Sequence, residues 1–430
     1  MRYKSCVLVS LLLCTLLPML PATASDDDVL EVFGNANMDD TIDEMDIKYV
    51  QGIIDGSNEE AELADANYDG QINKDDITQI EQIINDEEIT ITVIDSDGNV
   101  VTVELPVERI VTYNHQCAEA LQIMDASDKV VGIRDTFENQ PTRFPEISQK
   151  TNIGTGGDPD IEAILSVDPD LIIAYTFYPT KENLENKLGS AVPVLRIDCT
   201  GGGAAGLSSI RDSISILGYL LDAREEAARY QEWRDRYVNE VASRTSQIPE
   251  DERVRVYLES TPEGDETITS RTAIGSNHPT SNLCELAGAV NIVIGHLPHY
   301  EDTDQEYGEI ETEWILEQNP DVIVCRAMGA GVRPYENENN SLLKDYYEEI
   351  VKLPGFDEIN AVKNDRVYII TNDHAVTPNY PSALVLLAKW FYPEMFQDLD
   401  PLEAYKEYLD MMGLAQELSD KNTFFFPEVV

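Results

Sequence analysis

Two stretches of this chain share one twelve-residue design: Glu162-Ala-Ile-Leu165-Ser-Val-Asp-Pro169-Asp170-Leu-Ile-Ile and Glu313-Trp-Ile-Leu316-Glu-Gln-Asn-Pro320-Asp321-Val-Ile-Val. The Glu-to-Pro-Asp spacing is identical. In each copy an apolar helical pattern stops at a proline, which cannot continue a helix, and a buried-type strand follows at once. A repeated helix-to-strand junction demands α/β units with helical crossovers. The expected architecture is therefore two pseudo-equivalent α/β lobes facing one another.

The rest of residues 89–430 fits that frame. Ile89 to Ile94, a turn at Asp95–Asn99 and Val100 to Leu105 read as a hairpin. Arg109 to Tyr113, Val130 to Ile133, Leu171 to Tyr175 and Val192 to Ile197 read as strands of the first lobe, with a helix over Ala118 to Met124. A second set holds strands at Val254–Leu258, Val322–Val324 and Val367–Ile370, and helices at Leu283–Ala287, Glu313–Glu317, Pro381–Trp390 and Leu402–Met412. Between the sets, Asp222 and Glu225 read as a capping box opening a helix that runs to Arg244 without glycine or proline. At 1.5 Å per residue it is roughly 33 Å long, enough to span two lobes. Ala227, Tyr230, Trp233, Tyr237 and Val241 form its apolar face. The boundaries read as an N-lobe over 89–205, a linking helical region over 207–246 and a C-lobe over 252–430.

Residues 26–88 are different in kind. They hold 21 acidic residues against two basic ones, Lys48 and Lys74. A unit of about 30 residues is duplicated here: Asn35-Ala-Asn37-Met-Asp39-Asp40-Thr41-Ile42-Asp43-Glu44-Met45-Asp46 and Asp65-Ala-Asn67-Tyr-Asp69-Gly70-Gln71-Ile72-Asn73-Lys74-Asp75-Asp76. Calcium takes six to eight oxygens, supplied by side chains at loop positions 1, 3 and 5, a carbonyl at 7 and an acid at 12. Asp65, Asn67, Asp69, Gln71 and Asp76 meet that pattern, with Gly70 at the turn. Asn35, Asn37, Asp39, Thr41 and Asp46 form the weaker copy, with Asp40 where glycine is wanted. Ile42 and Ile72 are expected to pair across a short two-stranded contact. Each loop then runs into an amphipathic helix, with Ile47, Val50, Ile53 and Ile54 after the first and Ile77, Ile80, Ile83 and Ile84 after the second.

At the start of the chain, Arg2 and Lys4, the apolar run Cys6 to Leu20 and Ala22-Thr23-Ala24 have the form of a secretory signal over residues 1–24. Four cysteines follow it: Cys117, Cys199, Cys284 and Cys325. None has metal-type spacing; disulfides and buried thiols both remain open. With 81 acidic and 30 basic residues, the net charge is −51. Such a surface repels nucleic acid and anionic lipid. No later stretch has eighteen consecutive apolar residues, which excludes a multi-pass membrane protein. Asn339-Asn-Ser341 is an N-glycosylation acceptor pattern on an expected loop.

On these motifs, residues 30–86 resemble a type I dockerin, a duplicated loop-helix module that binds calcium and cohesin domains. Its cohesin-reading positions are Glu44-Met45 and Lys74-Asp75 here, unlike the familiar Ser-Thr, so an intramolecular cap is as good a reading as a cohesin-like partner. Residues 89–430 resemble substrate-binding proteins of the iron-siderophore, haem and cobalamin class of ABC importers. The resemblance is carried by Arg109-Ile-Val, Val131-Gly132-Ile133, Glu162 to Ile173, Leu286 to Ile292, Glu313 to Val324 and Ala361 to Tyr368. It implies two Rossmann-like lobes bridged by a single long helix, here preceded by a small all-α EF-hand-like module. It also implies that Glu162 and Glu313 dock into the membrane permease.

Ligands of open α/β sheets lie beyond the carboxyl ends of the strands. That rule selects Tyr113, His115, Tyr175 and Tyr178 in the first lobe, and His278, Arg326 and His374 in the second. Aromatic faces suit a chelate or macrocycle, Arg326 suits an anionic one, and a histidine suits a metal with an open position. The expected function is capture of an iron chelate or cobamide outside the cell and delivery to an ABC permease, with Ca2+ structural in the acidic loops. It is not an enzyme on this reading: GxSxG and HExxH motifs are absent from the sequence. A dockerin-bearing surface scaffold, or a secreted hydrolase, is the alternative.

Overall fold

A computed structural model describes residues 29–200, 208–260, 269–298, 306–329, 331–418 and 423–427. The signal reading over 1–24 lies outside them. Among the described residues, no helix is long and apolar enough to cross a membrane.

Two helices come first, α1 (Glu44–Ile54) and α2 (Lys74–Asn85). Each starts with a capping box, Asp43 with Asp46 in α1 and Asn73 with Asp76 in α2. The loops before them are near copies: Met38 and Tyr68, both at position 4, are left-handed. The hairpin of β1 (Thr90–Ile94) and β2 (Val100–Glu104) follows. It is the seat of the acidic module. Phe33 N–H donates to Thr92 O at 2.9 Å, Ile94 N–H to Glu31 O at 2.9 Å, and Gln79 Nε2 to Thr90 O at 2.8 Å.

The N-lobe contains β3 (Ile110–Thr112), α3 (His115–Ile123), β4 (Val130–Ile133), β5 (Thr151–Asn152), α4 (Ile161–Ser166), β6 (Leu171–Ala174), α5 (Glu185–Leu188) and β7 (Val194–Arg196). Its sheet runs β5-β4-β3-β6-β7, and every pairing in it is parallel. Two long helices then lead to the second lobe, α6 (Ser208–Leu220) and α7 (Arg224–Thr245). The apolar face read from the sequence of α7 is buried, from Ala227 through Val241. The start differs: Ala223 is the N-cap, without a side-chain cap. Asp222 instead takes a left-handed conformation (φ 53°) at the corner where α6 ends, so its carboxylate cannot cap α7.

The C-lobe holds β8 (Arg255–Ser260), β9 (Ser270–Ile274), α8 (Pro279–Leu286), β10 (Val290–Asn291), β11 (Tyr307–Glu311), α9 (Thr312–Gln318), β12 (Val322–Ala327), α10 (Ser341–Val351), α11 (Asn360–Lys363), β13 (Val367–Thr371), α12 (Asn372–Ala375), α13 (Tyr380–Phe391), α14 (Pro401–Met411), α15 (Ala415–Leu418) and β14 (Phe425–Phe426). The sheet order is β11-β9-β8-β12-β13-β14, with β10 beside β8. β8, β10, β12 and β13 are parallel; β9, β11 and β14 join antiparallel. This lobe is mixed, parallel at its centre and antiparallel towards both edges.

The repeated Pro-Asp junction does the same work in both lobes. Asp170 accepts the backbone N–H of Glu108 (2.8 Å) and Arg109 (3.0 Å), fixing the entry to β3. Asp321 accepts Arg255 N–H at 3.2 Å, fixing the entry to β8. Arg109 and Arg255 reach back to the carbonyls ending α4 and α9, at Asp168 O (2.8 Å) and Gln318 O (2.8 Å). Glu162 and Glu313 stand exposed on the first turns of those helices.

The acidic module is docked rather than appended. Leu30, Val32, Val50, Ile80 and Ile83 belong to one hydrophobic core with Val107, Leu217 and Leu220. Ile42 N–H donates to Tyr219 Oη of α6 at 3.0 Å, and Arg211 pairs with Asp40 at 2.9 Å. This corrects the expected Ile42–Ile72 ladder: the hydroxyl of Tyr219 takes the N–H that such a ladder would have used.

Candidate functional site

Sheet order places the site. In the N-lobe the strand order reverses between β3 and β6, and in the C-lobe between β8 and β12, which is where open α/β sheets leave a crevice. The lobes meet near these strand ends, where Tyr335, Glu336, Asp373 and Tyr408 of the C-lobe reach Glu119, Thr142 and Arg143 of the N-lobe. Arg143 and Glu119, 2% and 0% exposed, pair at 2.8 Å. Tyr335 Oη and Tyr408 Oη donate to the Glu119 carboxylate at 3.0 and 2.8 Å. Arg143 also lies 3.4 Å from Asp373, just past β13. Glu336 accepts Thr142 N–H and Arg143 N–H at 2.9 and 3.0 Å. Burial pushes the Glu119 carboxyl upward, while Arg143 and Tyr408 pull it back. Of these residues the strand-end rule reaches only Asp373; the others escape it because most of the partners lie far apart along the chain.

The N-lobe wall is aromatic. Asn114 caps α3 through Gln116 N–H and Cys117 N–H at 2.9 and 3.0 Å. Tyr175 Oη accepts His115 N–H at 3.1 Å and donates to Gln116 Oε1 at 2.7 Å. Its ring lies 5.2 Å from Phe177, which is 64% exposed. The Tyr178 ring lies under the Arg134 guanidinium at 5.4 Å. Tyr178 rests directly on Gly156, where an added Cβ would fall 1.6 Å from a ring carbon; no other residue leaves room for that ring. Buried Arg196 holds the loop, donating to Tyr175 O (2.6 Å) and Pro179 O (2.7 Å) while pairing with Glu185.

The C-lobe wall is charged. Arg326, 7% exposed at the end of β12, donates to Ser260 Oγ at 3.2 Å and to Met328 Sδ at 2.8 Å. Its other amine meets His278 Nε2 at 2.6 Å. Beneath it the buried Glu259 pairs with Arg271.

The residues expected at the cleft therefore separate into two groups. Tyr175 and Tyr178 follow β6, Arg326 lies near the end of β12, and His278 meets Arg326 from the N-cap of α8. Tyr113 differs: it is fully buried among Ile153, Ile164 and Ile172, with its hydroxyl aimed at Ile153 O, and burial pushes its pKa up. His374 differs as well. It is 1% exposed, packed by Tyr405 and Phe424, and its Nδ1 faces Asn379 Nδ2 at 2.9 Å. Burial drives its pKa down to about 3. His115 is partly buried against Phe137, with Nε2 held by Thr136 and Gln140 at 3.0 and 3.1 Å. The His278 Nδ1 accepts Thr280 N–H at 3.1 Å. Burial and Arg326 keep His278 neutral, and burial with Arg143 and Arg134 does the same for His115. Both His278 nitrogens are engaged, as are His115 Nε2 and His374 Nδ1, whereas the buried His374 Nε2 has no hydrogen-bond partner.

The acidic loops repeat one hydrogen-bond pattern. Asp46 accepts Asn37 N–H (3.0 Å) and Asp43 N–H (2.8 Å); Asp76 accepts Asn67 N–H (3.3 Å) and Asn73 N–H (2.6 Å). Asp39 N–H donates to Asn35 and Asn37, as Asp69 N–H does to Asp65 and Asn67. Thr41 N–H and Gln71 N–H donate to Asp39 and Asp69. Burial, with Asp39 and Asp43 nearby, pushes Asp46 up to about 6. Among the described residues no three His, Cys, Asp or Glu side chains gather into a metal cluster. A cation here would have to rest on the asparagine and backbone oxygens too.

Comparison with known proteins bears on the lobes. Residues 110–374 match the family described as periplasmic binding protein. The molybdate-binding protein MolA of Haemophilus influenzae is 23% identical over 334 residues, 72% of this chain and 86% of the relative. A cobalamin-binding protein of Halobacterium salinarum is 28% identical over 238 residues, 54% of this chain and 57% of the relative. Among solved structures, the TroA-like periplasmic binding protein FepB of Veillonella parvula aligns with TM-score 0.63 and 25% identity, over 79% of this chain and 99% of that one. The molybdate-bound MolA structure aligns with TM-score 0.58 at 19% identity, over 75% and 97%, and so shares the fold.

Proposed function

Because the chain belongs to the periplasmic binding protein family, we propose that it captures an anionic metal complex between its lobes and passes it to the permease of an ABC importer. The observation that carries the ligand class is Arg326. In a protein of net charge −51, a nearly buried arginine at the head of the crevice is favoured where it meets an anion. The aromatic shelf of Tyr175, Phe177 and Tyr178 opposite it suits an organic body, as in an iron-siderophore, haem or cobalamin-like ligand. Relatives are named for molybdate, cobalamin and ferric citrate, which supports a metal-related cargo. Glu162 and Glu313, matched in both lobes, are proposed to dock the permease. The protein would work outside the cytoplasm by binding and lobe closure, without bond breaking. A thermal-shift panel on the full chain tests this, with ferric citrate, a ferric siderophore, haem, cobalamin and molybdate. Ligand at 100 times its Kd stabilises by about 2.7 kcal/mol. No response to any of the five would move the assignment to a surface scaffold without transport duty; turnover of a glycoside or peptide ester would support a hydrolase.

For the N-terminal module we propose Ca2+ in the two loops, held by Asn35, Asn37, Asp39, Thr41 and Asp46, and by Asp65, Asn67, Asp69, Gln71 and Asp76. Support comes from the matched hydrogen-bond pattern and from the buried acids Asp46 and Asp76, each crowded by neighbouring aspartates. The docking through Ile42, Asp40 and Arg211 favours an intramolecular cap. The exposed Glu44, Met45, Lys74 and Asp75 are what a cohesin-like partner would meet. Isothermal titration of chelated protein with Ca2+ decides: heat of binding lost in Asp65→Ala with Asp76→Ala supports the assignment, and no heat in the parent protein removes it.

A further inference from the structure

We infer that Cys117 and Cys199 form a disulfide that staples the ligand-facing edge of the N-lobe. The two sulfur atoms lie 3.1 Å apart, closer than unbonded sulfur atoms normally approach. Both side chains are fully buried. A disulfide needs about 2.05 Å between sulfurs, so the sulfurs need approach by only about 1 Å more to bond.

The surroundings bring the thiols together whether or not they react. Cys117 sits in the first turn of α3, where Asn114 caps its N–H. Cys199 lies just beyond β7. The exit of β7 is tied to the same cap, because Asn114 Nδ2 donates to Ile197 O at 2.9 Å and the Cys117 thiol lies 3.6 Å from that oxygen. Two backbone segments 82 residues apart in sequence thus arrive in one place by ordinary hydrogen bonding. Cys284 and Cys325 belong to the other lobe, in α8 and β12.

The bond would close a loop holding β4, β5, α4, β6 and β7, and with them Arg134, Gly156, Glu162, Tyr175 and Tyr178. It would also tie the exit of β7 to the helix that carries His115 and Gln116. The chemistry is thiol–disulfide exchange. One cysteine thiolate attacks an incoming disulfide and expels a thiol. The second thiolate then attacks the mixed disulfide and expels the other. Two protons leave the cysteines, and the two electrons reduce the donor, a dithiol oxidase or a small-molecule disulfide. Because the sulfurs are sealed in the native state, closure belongs to folding in an oxidising compartment.

The test uses the full chain, unfolded and refolded in oxidised and reduced glutathione, then denatured and alkylated without reductant. Peptide mapping should recover the Cys117 and Cys199 peptides joined, and reduction before alkylation should separate them. Protein refolded under reducing conditions should melt about 5 °C below protein refolded in the glutathione mixture, and Cys117→Ser with Cys199→Ser should show no such difference. Recovery of both cysteines as alkylated thiols overturns the inference. So does either one joined to Cys284 or Cys325. The mapping reads the parent protein, so it stands even if the double variant fails to fold.

Discussion

Replacing Glu119 by Gln tests the claim that this buried N-lobe carboxylate, paired with Arg143 and bonded to Tyr335 and Tyr408 of the C-lobe, ties the lobes together. The carboxylate accepts from Arg143, Tyr335 and Tyr408 at 2.9, 3.0 and 2.8 Å, and neither it nor Arg143 is more than 2% exposed. Breaking such a pair by removing one charge costs about 3–5 kcal/mol. Two features soften the cost here. Asp373 stays 3.4 Å from Arg143 as a counter-charge, and the new amide still offers one acceptor, with a donor that the rotating Tyr408 hydroxyl can accept. The expected loss is therefore about 2–3 kcal/mol. Glu407→Gln is the control. Its partner Arg236 is 57% exposed, so that loss should stay below about 1 kcal/mol. Urea unfolding followed by circular dichroism and tryptophan fluorescence reads both, since buried Trp233 lies 5.6 Å from the Tyr408 ring. Coincident transitions justify comparing midpoints. The E119Q loss should also persist in 0.5 M salt, because a buried pair is little screened. If E119Q and E407Q lose stability equally, or if salt abolishes the difference, the interlobe lock is not what holds the lobes.

Gly156→Ala should displace the Tyr178 ring, weakening ligand binding about tenfold or more while costing about 1–3 kcal/mol of stability; titration calorimetry on the folded variant reads the first and urea unfolding the second. Glu162→Ala with Glu313→Ala should abolish importer-dependent uptake and leave ligand affinity within about twofold, since a permease contact touches neither wall; an equal fall in affinity would make them cleft residues. Asp198→Asn should be more stable than the parent above pH 6. Burial raises the Asp198 carboxyl to about 6, above its unfolded value near 3.9. Its unfavourable term is absent below about pH 4, grows between 4 and 6, and approaches about 3 kcal/mol above that range. A stability gap that does not change between pH 4 and 7 would contradict this.

The parts legible in the sequence are those where residues act on near neighbours. The Pro-Asp repeat was readable because Pro169 and Pro320 stop a helix locally, and the pins at Asp170 and Asp321 then reuse the same spacing. The apolar stripe of α7 was readable for the same reason. Helix starts were not: α3 begins at His115 because Asn114 caps it, and a lone asparagine after a strand looks like any turn. That shift of three residues turns His115 from an exposed loop residue into a packed one. β9 and β11 escaped because Arg271, Thr272, Glu309 and Glu311 dilute their alternation with polar groups. The lock at Glu119 was invisible in principle, since its partners at Tyr335 and Tyr408 are 216 and 289 residues away.

Pseudo-symmetry between the lobes ends at the crevice, and that ending bears on the cargo. The junction contacts match in the two lobes, yet the loop after β6 carries Tyr175, Phe177 and Tyr178, while Arg326 near the end of β12 is held by Ser260 and Met328. A small hydrated oxyanion would draw its affinity from the arginine side alone. A chelate with an organic body needs both walls, since aromatic faces are worth about 0.5–1.5 kcal/mol each beyond the area they cover. The pair Arg326→Ala and Phe177→Ala separates these cases. Phe177 is 64% exposed and caps no element, so its removal should leave stability within about 0.5 kcal/mol. For a chelate or cobamide, calorimetry should show both variants weakened, Arg326→Ala by about 10–100-fold and Phe177→Ala by about 3–10-fold. Loss confined to Arg326→Ala, with Phe177→Ala binding as the parent does, would refute the organic ligand and leave an oxyanion in its place.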